Sequence, residues 1–193
     1  NLISLLGQYF CVLKIHSEII EDFYLNFTRN CNILRKLSKK YNFLIWEDRK
    51  LADIDSVMLR QIDHIKKWAD MVSIHPISGF KSFESIRDIK LILIAEMSTK
   101  DNLFNEKYTS EVIKIANEQK NVIGIVSQHK HETNSDIMYF VPGISNFLTT
   151  DDKGQMYNTP ESKDFADVFV IGRSIYLAES PLYEILSYKD KIL

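Results

Sequence analysis

The sequence predicts an α/β fold built on parallel strands, and three observations carry that prediction. Apolar runs of strand length recur at Phe43 to Trp46, Met71 to Ile74, Leu91 to Ala95, Val122 to Val126, Met138 to Val141 and Val168 to Ile171. Phe43 to Trp46 is wholly apolar and the others are predominantly so, without strict alternation, and they read as buried strands. Stretches of helical composition separate them, among them Asp22 to Tyr41, Ser82 to Asp88 and Ser110 to Gln119, and such alternation argues for right-handed crossovers between parallel strands. The third observation is that one buried run ends abruptly in charge. Phe43 to Ile54 reads FLIWEDRKLADI, so Glu47, Asp48, Arg49 and Lys50 follow Trp46 directly.

Ahead of these elements, Leu2 to Leu6 reads as the end of a helix, Gly7 as its stop, and Tyr9 to Leu13 as a strand running into Lys14 and His16. That makes seven strands. With 193 residues, 45% of them apolar, and no Pro-, Gly- or Ser-rich linker, residues 1–193 read as a single domain with ample core. A net charge of -2 argues against a general binder of polymeric nucleic acid or of membrane surfaces. No apolar run approaches the roughly 18 residues of a membrane span. The opening NLISLLGQYFCVL has no basic leader and does not read as a signal peptide. Cys11 and Cys31 form no metal-binding pattern, and a reducing, cytoplasmic setting is the expectation.

The carboxyl ends of buried strands are where barrel enzymes hold their chemistry. Asp48 and Lys50, two apart, project to the same side of a strand, while Asp53 lies past the strand and is free to point elsewhere. Taken alone, the cluster could be the acidic first turn of a helix. Lys14 could equally snorkel to solvent, His16 serve as a core or capping residue, and Ser98 cap a helix. His129 and His131 have i, i+2 spacing, but no further ligand stands at a fitting distance in sequence, so they read as a solvated loop. Gly172 and Arg173 close the last strand. Glycine lets a backbone approach closely and guanidinium offers forked donors, a combination that suits phosphate.

The run Asp48-x-Lys50-x-x-Asp53-Ile54 closely resembles the signature of orotidine 5'-monophosphate decarboxylases, the activity also found in the carboxyl half of uridine monophosphate synthases. Further segments are similar to that family in the same order: LKIHSEIIEDF around Lys14 and His16, IAEMST around Ser98, Val141 to Ile144 with Pro142, Asp151 to Tyr157, and DVFVIGRSIY around Gly172 and Arg173. The resemblance implies a TIM-type (β/α)8 barrel whose first strand would precede Asn1, making the domain N-terminally incomplete. It implies an alternating network of Lys14, Asp48, Lys50 and Asp53 as catalytic residues, in which interleaved ammonium groups keep both carboxylates ionised. Asp53 is assigned to the neighbouring subunit's site in a homodimer with shared active sites. His16, Ile54, Ser98, Pro142, Gln155, Tyr157, Gly172 and Arg173 are implied as substrate-binding, with Ser98 on the pyrimidine and Gln155, Tyr157 and Arg173 on the phosphate.

The expected reaction converts orotidine 5'-monophosphate into uridine 5'-monophosphate and carbon dioxide, without metal or organic cofactor. The chain departs from the family pattern in three places. Val57 stands where threonine is usual, Ser174 follows Arg173 where glycine is common, and Gly154 serves both the Asp151-Asp152-Lys153-Gly154 and the Gly154-Gln155-Met156-Tyr157 elements. The alternatives are a non-catalytic or truncated relative and a metal-dependent hexulose-phosphate synthase.

Overall fold

The computed structural model describes residues 2–147, 150–151 and 154–192; Asp152 and Lys153 lie outside them. The chain forms two compact units, Asn1–Ile92 and Leu93–Leu193.

In the first unit, α1 (Leu2–Leu6) and one 3-10 turn lead into β1 (Val12–Ile15), followed by α2 (Phe27–Tyr41), β2 (Leu44–Leu51), α3 (Asp55–Ile65) and β3 (Met71–Ile74). β1 pairs with β2 and β2 with β3, all in parallel. β3 is buried throughout, as a strand covered on both faces is, with Ser73 its one polar residue. Behind the sheet Phe23 packs edge-on against Trp68, both buried. β4 (Lys90–Ile94) begins in this unit, where the Lys90 N–H donates to the Asp70 carbonyl.

In the second unit, α4 (Glu106–Glu118), β5 (Val122–Val126), β6 (Met138–Pro142), β7 (Val168–Val170), α5 (Arg173–Tyr176) and α6 (Pro181–Ile192) follow in order. β5, β6 and β7 pair in parallel. The N–H groups of Ala95 and Glu96 both donate to the Val126 carbonyl. Asn105 caps α4 by accepting the Tyr108 N–H. Gly143 is needed where it is: its φ is 77°, and a Cβ there would lie 2.5 Å from the Met156 carbonyl oxygen and 2.8 Å from Gln155 Nε2.

β4, β6 and β7 end within one residue of the expected bounds and α4 starts four residues earlier, at Glu106; the remaining differences from the sequence expectation concern β1, α2, residues 82–88 and β2. β1 starts at Val12, because a 3-10 turn occupies Gly7–Tyr9. This brings Lys14 inside the strand, opposite Trp46. α2 begins at Phe27, since Asp22 takes a positive φ of 58° and the chain turns there. The expected helix at Ser82 to Asp88 is absent; a 3-10 turn covers Phe80–Ser82. Ser82 donates to the Gly79 carbonyl and Ser85 to the Asp55 carboxylate, side-chain bonds of the kind that compete with helix formation. Finally, β2 does not stop at Trp46 but runs on through its charged residues to Leu51, with an irregularity between Glu47 and Leu51 where Lys50 adopts a φ of 52°.

Candidate active site

In the first unit the site is built around Asp48. Its carboxylate is buried, and oxygen Oδ2 receives both the Lys14 ammonium at 2.9 Å and the Lys50 ammonium at 2.6 Å. Ser73, fully buried on β3, donates to Oδ1 at 2.6 Å and accepts the Lys50 backbone N–H at 3.0 Å. That second bond anchors a left-handed backbone which a lysine rarely adopts and which costs about 1 kcal/mol or more. Burial alone would raise the Asp48 pKa, but the two ammonium groups and the hydrogen bonds from Lys50 and Ser73 hold it well below the ordinary carboxylate range. The result is a carboxylate that is ionised at neutral pH between two cations.

The sequence expectation that Asp48 and Lys50 share a side therefore agrees with the structure, as does the placement of Lys14 beside them. His16 joins the cluster, with Nε2 3.0 Å from Lys14 Nζ and 3.5 Å from Asp48. Its pKa is lowered by burial and then by Lys14, which favours the neutral imidazole. His75 is similarly lowered, by burial and by Lys50. Asp53 and Ile54 stand apart and exposed. Asp53 Oδ1 accepts the neighbouring Ile54 N–H at 2.7 Å, and its carbonyl accepts the Ser78 hydroxyl. Within one chain the network is thus Lys-Asp-Lys, with Asp53 outside it, because β2 ends at Leu51.

The second unit gathers the other candidates. Ser98 is buried, and its hydroxyl accepts from Gln155 Nε2 at 2.8 Å, while its carbonyl accepts the Met156 N–H at 2.9 Å. Pro142 ends β6, and its carbonyl accepts from Gln128 Nε2 at 3.1 Å. Gly172 precedes the short α5 that Arg173 opens. The Arg173 guanidinium sits 5.6 Å from the centre of the Tyr157 ring and forms an ion pair with Asp151. Asp151 also accepts the Gln155 N–H at 2.9 Å and the Tyr157 hydroxyl at 3.4 Å. One carboxylate therefore contacts all three residues expected at a phosphate. Arg173, Tyr157 and Asp151 line a cavity of about 590 Å³ with Ser145, Ser174 and Tyr183.

Some of the arrangement was not foreseen from the sequence. Ser73 and His75 were missed; a serine inside the otherwise apolar Met71–Ile74 strand was the available signal. His129 and His131 are not merely a solvated loop, since both imidazoles meet Glu96 at 3.1 Å. Glu96 also accepts from the Ser127 hydroxyl and from the backbone of Gln128 and His129. Among the described residues no group of three His, Cys, Asp or Glu side chains is placed to hold a metal.

Comparison with known proteins gives a consistent answer. Residues 1–188 match the model of the orotidine 5'-phosphate decarboxylase / HUMPS family. The orotidine 5'-phosphate decarboxylase of Phycomyces blakesleeanus is 34% identical over 186 residues, which are 88% of this chain and 68% of that protein. The uridine 5'-monophosphate synthase of Bos taurus is 31% identical over 203 residues, with 98% of this chain aligned to 42% of the synthase. Among solved structures, orotidine 5'-phosphate decarboxylase from Pyrococcus horikoshii superposes with a TM-score of 0.72 at 24% identity, covering 98% of this chain and 92% of that one. The Methanocaldococcus jannaschii enzyme, complexed with the inhibitor BMP, gives 0.72 at 20% identity, with 98% and 91% covered. These likenesses establish the fold class expected from the sequence, a TIM-type (β/α)8 barrel, of which the described residues supply seven strands. With a family match over nearly its whole length and relatives above 30% identity, the chain belongs to the orotidine 5'-phosphate decarboxylase / HUMPS family.

Proposed function

We propose that this chain decarboxylates orotidine 5'-monophosphate to uridine 5'-monophosphate, a step of de novo pyrimidine synthesis. The observation that carries the reading is the buried Asp48 carboxylate held between the Lys14 and Lys50 ammonium groups. A substrate carboxylate brought against an ionised Asp48 is repelled, and the repulsion is relieved as carbon dioxide leaves. The bond from ring carbon to carboxylate breaks, and its electron pair stays on the ring carbon. The Lys50 ammonium stabilises that developing anion and then delivers a proton to it, regaining one from solvent. Asp48 fixes the Lys50 ammonium, and Lys14 keeps Asp48 charged throughout.

In this reading Ser98 recognises the pyrimidine ring, while Gln155, Tyr157 and Arg173 take the phosphate, with Gly172 and Pro142 shaping the approach. Binding energy from the remote phosphate then lowers the barrier at the reacting carbon. The chemistry calls for no metal or organic cofactor. Ser98 and the Gln155 to Tyr157 segment, by their likeness to the decarboxylase motifs, favour this reaction over that of a hexulose-phosphate synthase. Exposed Asp53 and Ile54 are read as reaching a second copy, in a homodimer with shared sites. Two free cysteines support the cytoplasm as the location, and no helix among the described residues is long and apolar enough to cross a membrane.

The test is orotidylate decarboxylation by the purified chain, followed by absorbance with and without a chelator. Turnover that survives chelation is expected. No turnover, or turnover abolished by the chelator and restored by a divalent metal, would overturn the reading. Sedimentation should give a dimer, and mixing Lys50→Ala with Asp53→Ala chains should restore activity if sites are shared.

A further inference from the structure

Glu47 neighbours Asp48 in sequence, is fully buried, and has no part in the chemistry above. Alternation along β2 turns it away from Asp48. There it meets Ser17, also fully buried. The Ser17 N–H donates to the two carboxylate oxygens at 3.1 and 3.3 Å, and its hydroxyl donates to Oε1 at 2.7 Å. The Ser17 hydroxyl lies 2.7 Å from that of Tyr24. With its own proton given to Glu47, it accepts from Tyr24.

The position of this contact is informative. Ile15 is the last residue of β1 and faces Glu47 in the parallel register. The ladder ends there, and Ser17 lies two residues beyond it. The contact thus extends the tie between β1 and β2 past the final rung, just where Lys14 and His16 must reach across to Asp48. A core residue serving only to fill space would be apolar, because burying a carboxylate is costly. Here burial pushes the Glu47 pKa up to about 7, against the lowering effect of the Ser17 hydrogen bonds. The chain tolerates that cost at one rung from its catalytic aspartate.

We propose that Glu47 is a positioning residue that grips Ser17 and thereby sets the exit of β1, so that Lys14 and His16 meet Asp48 in register with Lys50. Its kinetic consequence rests on the decarboxylase reading. Ser17 offers two donors and takes nothing from Glu47, so the grip is complete when the carboxylate is ionised. The other titratable or charged groups interacting with Glu47 are Glu18, beside Ser17, and Arg49 on β2, which pair with each other at 2.8 Å.

The test compares Glu47→Gln and Ser17→Ala with the parent chain. Displacing a catalytic group by a fraction of an ångström should lower kcat by about 10- to 100-fold with KM changed less than about threefold. The ratio of parent to Glu47→Gln kcat should rise with pH through about 7, which a purely structural role would not produce. Taking the ratio cancels the titration of the substrate. If one variant fails to fold, the other decides. With an active parent chain, kcat within about twofold of the parent in a folded variant would overturn the proposal, and so would a ratio independent of pH. The Lys14 ammonium resonance, read by nitrogen-15 NMR, needs no turnover. If the parent chain does not decarboxylate, the functional reading fails by itself. The positioning role is then judged on that resonance, where a shift in the variants supports it and an unmoved signal overturns it.

Discussion

Ser73→Ala isolates the hydroxyl that organises the candidate site without removing any charge. The perturbation deletes a 2.6 Å hydrogen bond to the Asp48 carboxylate and the acceptor of the Lys50 N–H. A hydrogen bond to a charged buried group contributes about 1.5–3 kcal/mol. Urea unfolding should therefore show a loss of about 2–3 kcal/mol with an unchanged m-value. The catalytic effect follows from the same contact. Without Ser73 the strained Lys50 backbone, at a φ of 52°, loses its anchor, and the Asp48 carboxylate can rotate about its remaining partners. If the whole of that energy is expressed in the transition state, kcat/KM falls by about 10- to 150-fold at 1.36 kcal/mol per decade. Circular dichroism should remain that of the parent. A stability change under about 0.5 kcal/mol, together with kcat within about twofold of the parent, would refute the argument that Ser73 holds the cluster.

Other outcomes follow from the same geometry. Lys50→Ala should abolish decarboxylation while leaving the fold intact, and residual turnover near the parent rate would remove Lys50 as proton donor. Arg173→Ala should weaken uridine 5'-monophosphate binding by about tenfold or more, given about 1.5–3 kcal/mol for a charged hydrogen bond; unchanged affinity by calorimetry would take it out of the site. Asp151→Asn should instead tighten nucleotide binding, because the carboxylate now occupies Arg173 and must be displaced by phosphate; weaker binding would contradict this. Stability should also carry a signature of Glu47, whose pKa rises from an ordinary 4.5 to about 7 on folding. The folded chain then binds this proton more tightly, so its contribution is fully present below about pH 4.5 and is lost as pH rises to about 7. The loss is about 3 kcal/mol, and Glu47→Gln should flatten that part of the stability curve; an unchanged slope would sink the assignment. Asp48 acts in the opposite sense, its contribution fully present above the ordinary aspartate value of 3.8 and lost progressively as pH falls below it.

Apolarity and periodicity are local properties, and so the sequence by itself determined that there are strands and roughly where they lie. Met71–Ile74 and Val122–Val126 have the expected bounds because predominantly apolar, β-branched runs of this length are satisfied between two covered faces. The side shared by Asp48 and Lys50 was equally legible, since it follows from a two-residue spacing, and so was the family, whose ordered motifs are linear. Tertiary structure alone decided what lies against those residues. Ser73 is 25 residues from Asp48, Ser17 is 30 from Glu47, and Glu96 is 35 from His131. It also decided that β2 runs through its charges to Leu51 instead of stopping at Trp46. A run of Glu, Asp, Arg and Lys looks like a strand end because an unpaired buried charge is prohibitive. Partners distant in the chain remove that prohibition, and no pattern within a short window can reveal that they are there.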